Sequence, residues 1–420
     1  MSFADGYLAG STISGRLIEE RPDKNTGIII IIPAFDEPGI IFTLRSIEKC
    51  YKPDCAIELI VLVNAPRGSN DEQLRQNERT LDELSKWKPG NSNYSFKLHY
   101  YDTGLRNDRQ WGVGMARKMA MDEALRRFND IDNPGGVIVS LDADCGVAEN
   151  YLLEIYSKLY LEEKRKACSI GFEHPLSGDL SDDVYSAVSL YELHLRYYYQ
   201  ALKYTGFPHV FHTIGSAIAV KANVYAGAGG MSKKKGAEDF YFIQKIIPAG
   251  GYFYLNSTCV YPSPRPSARV PFGTGPVISG LLEQLNQDYF SYSPDAFKYL
   301  KVLFSNTGFL YKAGEKDRQR VFMSLHPGLQ MFLEANKWSE KLNEIEANTS
   351  SEASFIKRFF NWFNMFRVVK YLNYSHNEAG LKKIPVMMAA SEILKIKGSA
   401  YIPGDPFDML RLFREMESQA

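Results

Sequence analysis

The chain has 420 residues, of which 45% are hydrophobic and 23% charged, an ordinary globular composition that argues against extensive disorder. Its 49 Lys and Arg residues balance its 49 Asp and Glu residues, so the net charge provides no overall attraction to nucleic acid or to an anionic membrane. The five Cys residues, an odd number without a Cys-x-x-Cys spacing, argue against a disulfide framework and a zinc knuckle and favour a reducing compartment.

Strand and helix patterns alternate over the first part of the chain. Strands are predicted at 27–33, 58–63, 96–101 and 136–141, and helical patterns lie between them at 39–51, at 71–87 and from about Trp111. Pro33 is expected to end the first strand, because proline cannot donate to a strand ladder. Repeated β-α units imply a largely parallel sheet with helices on both faces, and ligands of such sheets bind beyond the carboxyl ends of the strands.

The patterns change further along the chain. A Tyr-rich helix is predicted over 184–204, another strand over 214–220, and a proline-rich loop over 262–266. Beyond about residue 288 the strand patterns fade, and helices with polar connectors remain. We therefore predict an α/β domain of residues 1–288 and a mainly helical C-terminal domain or extension of residues 289–420.

Two aspartates, Asp142 and Asp144, directly follow the fourth predicted strand. Residues two apart on an extended chain point the same way, so both carboxylates can face one site. Paired carboxylates at a strand end suit Mg²⁺ or Mn²⁺, which prefer oxygen ligands and can bridge to a diphosphate. A bound cation would stabilise the charge that develops on a leaving nucleotide diphosphate. The alternative is a pair of solvated turn aspartates, one of which caps the following helix.

Glu238 and Asp239 follow a glycine-rich loop and precede a helical pattern over 240–247. Consecutive residues on a helix point about 100° apart, so at most one of the two is expected to reach a substrate. That residue would be a general base that takes a proton from an attacking hydroxyl. The alternative for Asp239 is an N-cap of the helix with no further role.

A basic segment with two glycines opens the helix that follows the third strand. Gly112 and Gly114 precede Arg117, and Arg106 and Arg109 come shortly before them. Backbone N–H groups at a helix start favour phosphate, and an arginine adds a fixed positive charge. The sequence therefore predicts a phosphate contact by one of these arginines, with a solvated basic loop as the alternative.

An aromatic stripe at helical spacing lies between Phe355 and Val369, with basic residues close by. Such a helix could lie on an anionic bilayer, or it could face the core of the C-terminal domain. The start of the chain lacks the basic and apolar regions of a secretory signal. The apolar runs are also too short or too charged for a spanning helix of about 20 residues. We expect a cytoplasmic protein, with peripheral membrane contact through this helix as an alternative.

The order of the motifs resembles that of glycosyltransferase family 2. The resemblance covers about residues 26 to 262; its donor half is carried by 30–37, 59–64, 112–117 and 141–144, and its acceptor half by 214–221, 228–231 and 238–239. It implies a GT-A fold, one α/β domain that binds a nucleotide-diphosphate sugar at its strand ends. The Gln-x-x-Arg-Trp motif of the family's processive synthases is absent, which favours transfer of a single sugar.

The resemblance also implies a role for each candidate residue. Contacts to the base and ribose are implied for Pro33, Ala34, Asp36, Glu37 and Asn64, and contacts to the diphosphate for Arg106 or Arg117. Asp142 and Asp144 would face the ribose, the donor sugar and a Mn²⁺ or Mg²⁺ ion. Asp239 would be the base of an inverting displacement, with Glu238 oriented toward the acceptor or the backbone. The acceptor would carry a hydroxyl on a glycan, a lipid or a small molecule, and no nucleic acid is expected.

Two departures from the family pattern keep alternatives open. The family usually has Asp where this chain has Asn64, so the preferred base is open, and no His that would ligate a metal follows Glu238-Asp239 within the next strands. One alternative is an inactive nucleotide-binding scaffold of the same fold. The other is a sugar nucleotidylyltransferase, whose first loop is normally glycine-rich and basic, whereas residues 33–39 here are acidic.

Overall fold

The computed structural model describes residues 2–11, 15–88, 96–105, 111–232, 237–269, 273–284 and 288–418. The chain divides into two compact units, each made of two segments. Unit 1 comprises Met1–Val188 and Thr213–Leu282, and unit 2 comprises Ser189–His212 and Glu283–Ala420. The predicted boundary after residue 288 stays a proposal.

Unit 1 is built around one sheet. Its strands are β1 (Thr26–Ala34), β2 (Ala56–Ala65), β3 (Lys97–Leu105), β4 (Val137–Ser140), β5 (Gly146–Val147), β6 (Ala167–Phe172), β7 (Ile218–Lys221) and β8 (Tyr252–Tyr261). They are arranged in the order β3-β2-β1-β4-β7-β6-β8-β5. β7 is antiparallel to its neighbours β4 and β6, and β5 is antiparallel to β8. The other strands share one direction, so their carboxyl ends meet at one edge of the sheet.

The helices of unit 1 are α1 (Asp5–Ala9), α2 (Ile40–Glu48), α3 (Asp71–Lys86), α4 (Val113–Asp130), α5 (Tyr151–Ile155), α7 (Ala222–Gly227), α8 (Glu238–Ile246) and α9 (Thr274–Glu283), with a π-helical turn at Tyr156–Tyr160 and a 3₁₀ turn at Ile247–Ala249. Helix α6 (Asp182–Thr205) belongs to unit 1 only as far as Val188 and continues in unit 2. The isoleucines of β1 alternate between two buried clusters: Ile30 belongs to the one that holds residues of α2 and α5, and Ile31 to the one that holds residues of α4 and α8. This period of two is that of a strand covered on both faces. The predicted class, a mostly parallel α/β sheet flanked by helices and followed by a helical region, is confirmed.

The first strand extends one residue beyond Pro33, to Ala34, so the expectation that Pro33 ends it is wrong. β4 pairs with β1 only as far as the partners Ile31 and Ser140. Pro33 therefore lies past the part of β1 that has a strand on both sides, and its missing N–H interrupts no bond to β4.

Unit 2 is helical over its described residues apart from one short antiparallel pair of strands. Its elements beyond α6 are β9 (Phe290–Ser291), α10 (Pro294–Ser305), α11 (Glu315–Ser324), α12 (Pro327–Ala335), α13 (Trp338–Ala347), α14 (Glu352–Trp362), α15 (Met365–Asn377), β10 (Ile384–Pro385), α16 (Val386–Ile396) and α17 (Pro406–Ser418).

The aromatic stripe between Phe355 and Val369 is divided between α14 and α15. The side chain of Asn364 accepts a hydrogen bond from the N–H of Arg367 and so begins the second helix. Phe355, Phe359 and Phe363 are completely buried. Their rings are therefore not available to a bilayer, and the expectation of membrane contact through this stripe is not supported. Among the described helices, none combines the length and the apolarity needed to cross a membrane.

Candidate active site

The aspartates after β4 occupy a tight turn at the edge where the parallel strands end. The N–H of Cys145 donates to the carbonyl oxygen of Asp142 at 3.2 Å. Ala143 between the two aspartates is buried, and its carbonyl oxygen accepts from the hydroxyl of Thr43 at 2.8 Å. The side chains of Asp142 and Asp144 keep 39% and 26% of their surface exposed, so both carboxylates remain open to a ligand.

Arg117 connects the two halves of the site. This residue of α4 is buried, and one of its terminal nitrogens donates to Oδ1 of Asp142 at 2.7 Å. The other donates to Oε1 of Glu238, which is also buried. An arginine that forms charge-assisted bonds to two carboxylates fixes both of them and leaves its own charge neutralised. The structure therefore joins the predicted donor residue Asp142 to the predicted acceptor residue Glu238 through the predicted Arg117.

The position of Arg117 depends on a glycine of the segment before β7. A β-carbon at Gly215 would lie 3.0 Å from the Cζ and Nη2 atoms of the Arg117 guanidinium. The glycine therefore provides the space in which the guanidinium reaches both carboxylates.

Asp239 lies one residue inside α8 and does not cap it. The residue before the helix is Ala237, whose backbone is left-handed with φ 57°, so the alternative in which Asp239 is the N-cap is wrong. Oδ1 of Asp239 accepts from the N–H of Phe240 at 2.7 Å. Burial, which disfavours the charged form, raises the pKa of Asp239 to about 6 despite the opposing charge of Arg117. A carboxylate with that pKa is still ionised near neutral pH and is a stronger base than an ordinary aspartate.

The loop after β1 is held by internal contacts. Pro33 and Ala34 are buried within the strand. Asp36 has a left-handed backbone with φ 50°, and its N–H donates to Oδ1 of Asn77 on α3 at 2.9 Å. Glu37 is buried and accepts from the N–H of Gly39 at 2.6 Å. Of the predicted donor residues in this loop, Asp36 keeps a partly exposed side chain, whereas the carboxylate of Glu37 is used within the protein.

Asn64 is buried at the end of β2, and its side chain does not project into solvent. Its Nδ2 donates to the carbonyl oxygen of Ala34 at 3.0 Å, and its own carbonyl oxygen accepts from Nδ2 of Asn77 at 2.8 Å. These bonds tie the ends of β1 and β2 to α3. The side chain of Asn64, which departs from the pattern of the family that the sequence resembles, therefore braces the end of β1.

Two arginines that the sequence did not single out belong to the site. Arg265 and Arg269 lie in the proline-rich loop after β8 and both bond to the carboxylate of Glu37, Arg265 at 2.8 Å. Arg269 also donates to Oδ2 of Asp144 at 3.1 Å. Burial, together with the charges of Glu37 and Asp142, raises the pKa of Asp144 to about 6, although both arginines oppose the shift.

The described residues of the site include more carboxylates than guanidinium groups. Five carboxylates, those of Glu37, Asp142, Asp144, Glu238 and Asp239, are accompanied by the guanidinium groups of Arg117, Arg265 and Arg269. These groups therefore carry an excess of two negative charges when all are ionised. Arg106 and Arg109 lie outside the described residues.

The carboxylates of this site fit a divalent cation that is held partly by the protein and partly by its substrate. Within the described part of the chain, no group of three or more His, Cys, Asp or Glu side chains has the arrangement of a metal site. Mg²⁺ and related ions are often held by one or two carboxylates together with substrate phosphates and water. The partly exposed pair Asp142 and Asp144, within a cluster of excess negative charge, has the composition of such a site.

No protein-family model matches the chain, and no curated protein sequence matches it. The chain is distantly similar to several solved structures. One is S. aureus TarS 1–349 in complex with UDP-GlcNAc, at 13% identity and a TM-score of 0.40 over 81% of this chain and 93% of that chain. Another is GalNAc-T7 with UDP, GalNAc and Mn²⁺, at 13% identity and a TM-score of 0.38 over 80% and 57% of the two chains.

A third structure, the mannosyltransferase PcManGT from Pyrobaculum calidifontis in complex with GDP-Man and Mn²⁺, is 15% identical with a TM-score of 0.36 over 90% and 93% of the chains. At such scores the similarity is too distant to identify a substrate or to assign a role to any residue. The resemblance to glycosyltransferase family 2 is therefore carried by the order of the sequence motifs, and the sheet and the cluster around Arg117 are properties of this chain.

Proposed function

We propose that the protein transfers a sugar from a nucleotide-diphosphate donor to a hydroxyl acceptor. The observation that carries the proposal is the buried Arg117, which bonds both to Asp142 after β4 and to Glu238 at the start of α8. These two carboxylates come from motifs about 100 residues apart, each of which the sequence resemblance assigns to a different substrate. A shared arginine at a strand-end edge supports one site in which a donor and an acceptor meet.

The donor would lie along the ends of β1, β2 and β4. We assign the base and ribose to the loop of residues 33–37 and to the residues around Asn64. The side chain of Asn64 donates to the carbonyl oxygen of Ala34, so we expect it to hold the loop in place and not to contact the nucleotide itself. The side chain of Arg117 is only 4% exposed, so its guanidinium is closed to a phosphate. We therefore assign the diphosphate contact to Arg265 and Arg269, which are partly exposed beside Asp144.

Asp142 and Asp144 would hold a Mn²⁺ or Mg²⁺ ion together with the donor. Such an ion supplies positive charge that stabilises the negative charge developing on the leaving diphosphate. The excess of negative charge among the described groups and the exposure of both carboxylates support this assignment.

We assign the role of general base to Asp239. Its ionised carboxylate would accept the proton of the acceptor hydroxyl while the hydroxyl oxygen bonds to the anomeric carbon and the bond from that carbon to the diphosphate oxygen breaks. Attack from the side opposite to the leaving group inverts the anomeric configuration. The pKa of about 6 supports this role, because the group is then both ionised and basic near neutral pH.

Nucleotide binding tests the proposal first. Thermal unfolding is measured with UDP, GDP, CDP and ADP, each with and without Mn²⁺, and the nucleotide that stabilises the protein selects the sugar nucleotides to be tried as donors. A ligand at about 100 times its Kd stabilises the native state by about 2.7 kcal/mol, which such a measurement detects.

The outcomes separate the alternatives. A Mn²⁺-dependent shift with one nucleotide, followed by sugar transfer or slow sugar hydrolysis, is the expected result. Binding without turnover across a panel of donors would favour the inactive scaffold of the same fold. No shift with any of the nucleotides would contradict the proposed donor site.

A further inference from the structure

The start of the chain contributes to a buried polar cluster next to the site. Asp122 of α4 is completely buried, and its carboxylate accepts four hydrogen bonds. Two come from helices α4 and α7, from Lys118 at 2.9 Å and Tyr225 at 2.6 Å. The other two come from the N-terminal segment, from Tyr7 at 2.7 Å and Ser11 at 3.0 Å. The segment thus supplies half of the partners of a buried charge, which is costly to leave unpaired.

Tyr7 contacts three other members of this cluster, Asp122, Lys118 and Tyr225. Its hydroxyl donates to Asp122 and accepts from Lys118 at 2.8 Å, and its ring packs edge-on against Tyr225 with centroids 5.9 Å apart. Lys118 directly follows Arg117 on α4, so this bond fixes the turn of the helix that carries the central arginine.

Tyr7 also lies against the glycine-rich segment that precedes α8. Gly230 has a left-handed backbone with φ 66°, and a β-carbon there would lie only 1.9 Å from the hydroxyl oxygen of Tyr7. The tyrosine therefore occupies the space that any side chain at position 230 would need. Tyr7 is therefore packed against the described part of this segment at Gly230.

The same contacts continue into α8. The ring of Tyr225 packs on Phe242 with centroids 5.5 Å apart. Phe242 follows Glu238 by four residues and therefore lies on the same face of the helix, one turn further along. Both side chains are buried, so a shift of Tyr225 would move the face of α8 that carries Glu238.

We propose that Tyr7 is a positioning residue of the active site, which orients α4 and α8 through Asp122 and Tyr225 without touching the substrates. The inference rests on the proposed function, because it takes α8 to carry the general base. It gives the N-terminal segment a role in turnover in addition to its packing on α4. A base displaced by about 1 Å loses roughly a hundredfold in rate, although donor binding is unaffected.

The test compares Tyr7→Phe with Ser2→Ala. The first variant removes the hydroxyl that bonds to Asp122 and Lys118. The second is a matched control that also removes one hydroxyl of the N-terminal segment, but one bonded to the backbone of Asn129 and to Asp132. For each protein we measure kcat, the KM for the donor and hydrogen exchange of the amides in α8.

For Tyr7→Phe we expect kcat to fall by about ten- to a hundredfold with the donor KM unchanged, and amide exchange in α8 to become faster. Ser2→Ala should leave kcat and α8 exchange unchanged. Wild-type kcat and wild-type α8 exchange in Tyr7→Phe would overturn the inference, as would a loss of protection spread evenly over the unit. Absence of turnover in the wild type would contradict the proposed function alone, and α8 exchange would still decide whether Tyr7 positions the helix.

Discussion

At the level of single residues, Asp239 carries the chemistry of the proposed reaction. Its pKa of about 6 lies above the ordinary aspartate value of 3.8 because burial penalises the ionised form. Only the ionised carboxylate accepts a proton, so kcat/KM should rise as the pH increases through about 6 and level off above 7. A pH–rate profile from pH 5 to 8 measures this, and a profile that is flat below pH 7 would contradict the assignment.

The same shift predicts how Asp239 affects stability. Well below pH 3.8 the carboxyl of Asp239 is protonated in both the folded and the unfolded protein, so it does not make the stability depend on pH there. Between pH 4 and 6 the unfolded protein ionises first, and the wild type loses stability. The Asp239→Asn variant lacks this penalty and should be at least as stable as the wild type at pH 7, so a loss of turnover in it would not reflect unfolding.

Asp144 tests the proposed cation site. Replacement by Asn keeps the size of the side chain and its ability to accept from Arg269, but it removes the charge that a divalent cation requires. We predict that Asp144→Asn folds, binds nucleotide no better with Mn²⁺ than without, and loses transfer. Thermal unfolding with the selected nucleotide over a range of Mn²⁺ concentrations measures this. Full Mn²⁺ dependence in the variant would exclude Asp144 as a ligand.

Some residues of the site could be predicted from the sequence, and others could not. Asp142, Asp144, Glu238 and Arg117 stand next to predicted strands or helices, so local pattern was enough to single them out. Arg269 is 232 residues away from Glu37 in sequence and lies in an irregular loop. Its role depends on where β8 lies in the sheet, and local sequence does not contain that information.

At the level of elements, the segment before β7 controls the orientation of Arg117. In Gly215→Ala the new methyl group would lie 3.0 Å from the guanidinium and push it from the two carboxylates. Overpacking of this kind lowers the free energy of unfolding by about 1–3 kcal/mol. We also expect kcat to fall, because the guanidinium would no longer hold both carboxylates in place. Gly227 on α7 is a matched control, since a β-carbon there meets no atom within 4 Å. Urea unfolding and steady-state kinetics of both alanine variants measure the difference, and equal kinetics would contradict this role of Gly215.

Helix α3 has a comparable role beside the loops to which we assign the nucleotide. Asn77 accepts from the N–H of Asp36 and donates to the carbonyl oxygen of Asn64, so it joins the loops after β1 and β2. In Asn77→Ala both bonds are lost, and we predict about tenfold weaker nucleotide binding with a smaller effect on kcat. The Kd of the selected nucleotide is measured by titration for this variant and for Glu78→Ala, a control that changes an exposed residue of the same helix. Unchanged affinity in Asn77→Ala would show that the loops hold their shape without it.

Pattern predicted some elements well and missed others for physical reasons. β1 and β2 are buried along nearly their whole length, and their unbroken apolar runs predict them. β8 alternates irregularly between buried and exposed residues and contains Asn256, Ser257 and Thr258. Its sequence therefore shows neither the unbroken apolar run of a buried strand nor the regular alternation of a half-buried one. The break between α14 and α15 was missed because the aromatic spacing continues through it, although α14 ends at Trp362 and the side chain of Asn364 begins a new helix.

At the level of the whole molecule, the sequence predicts an α/β part followed by a helical part, and the structure has both. It does not predict that unit 2 begins with residues from the middle of the chain. The helical pattern over 184–204 is continuous, and nothing in its composition marks the transition at Ser189. Membership in a unit follows from long-range packing, which a local pattern does not encode.

The central claim is that this site transfers a sugar from a nucleotide-diphosphate donor. The measurement that tests it most directly is the release of nucleoside diphosphate from a panel of nucleotide sugars in the presence of Mn²⁺, for the wild type and for Asp239→Asn. We predict release from one donor class by the wild type, and a rate about 10²–10⁴ lower in the variant with donor binding retained. Nucleotide binding without release by the wild type, or equal rates in both proteins, would contradict the account.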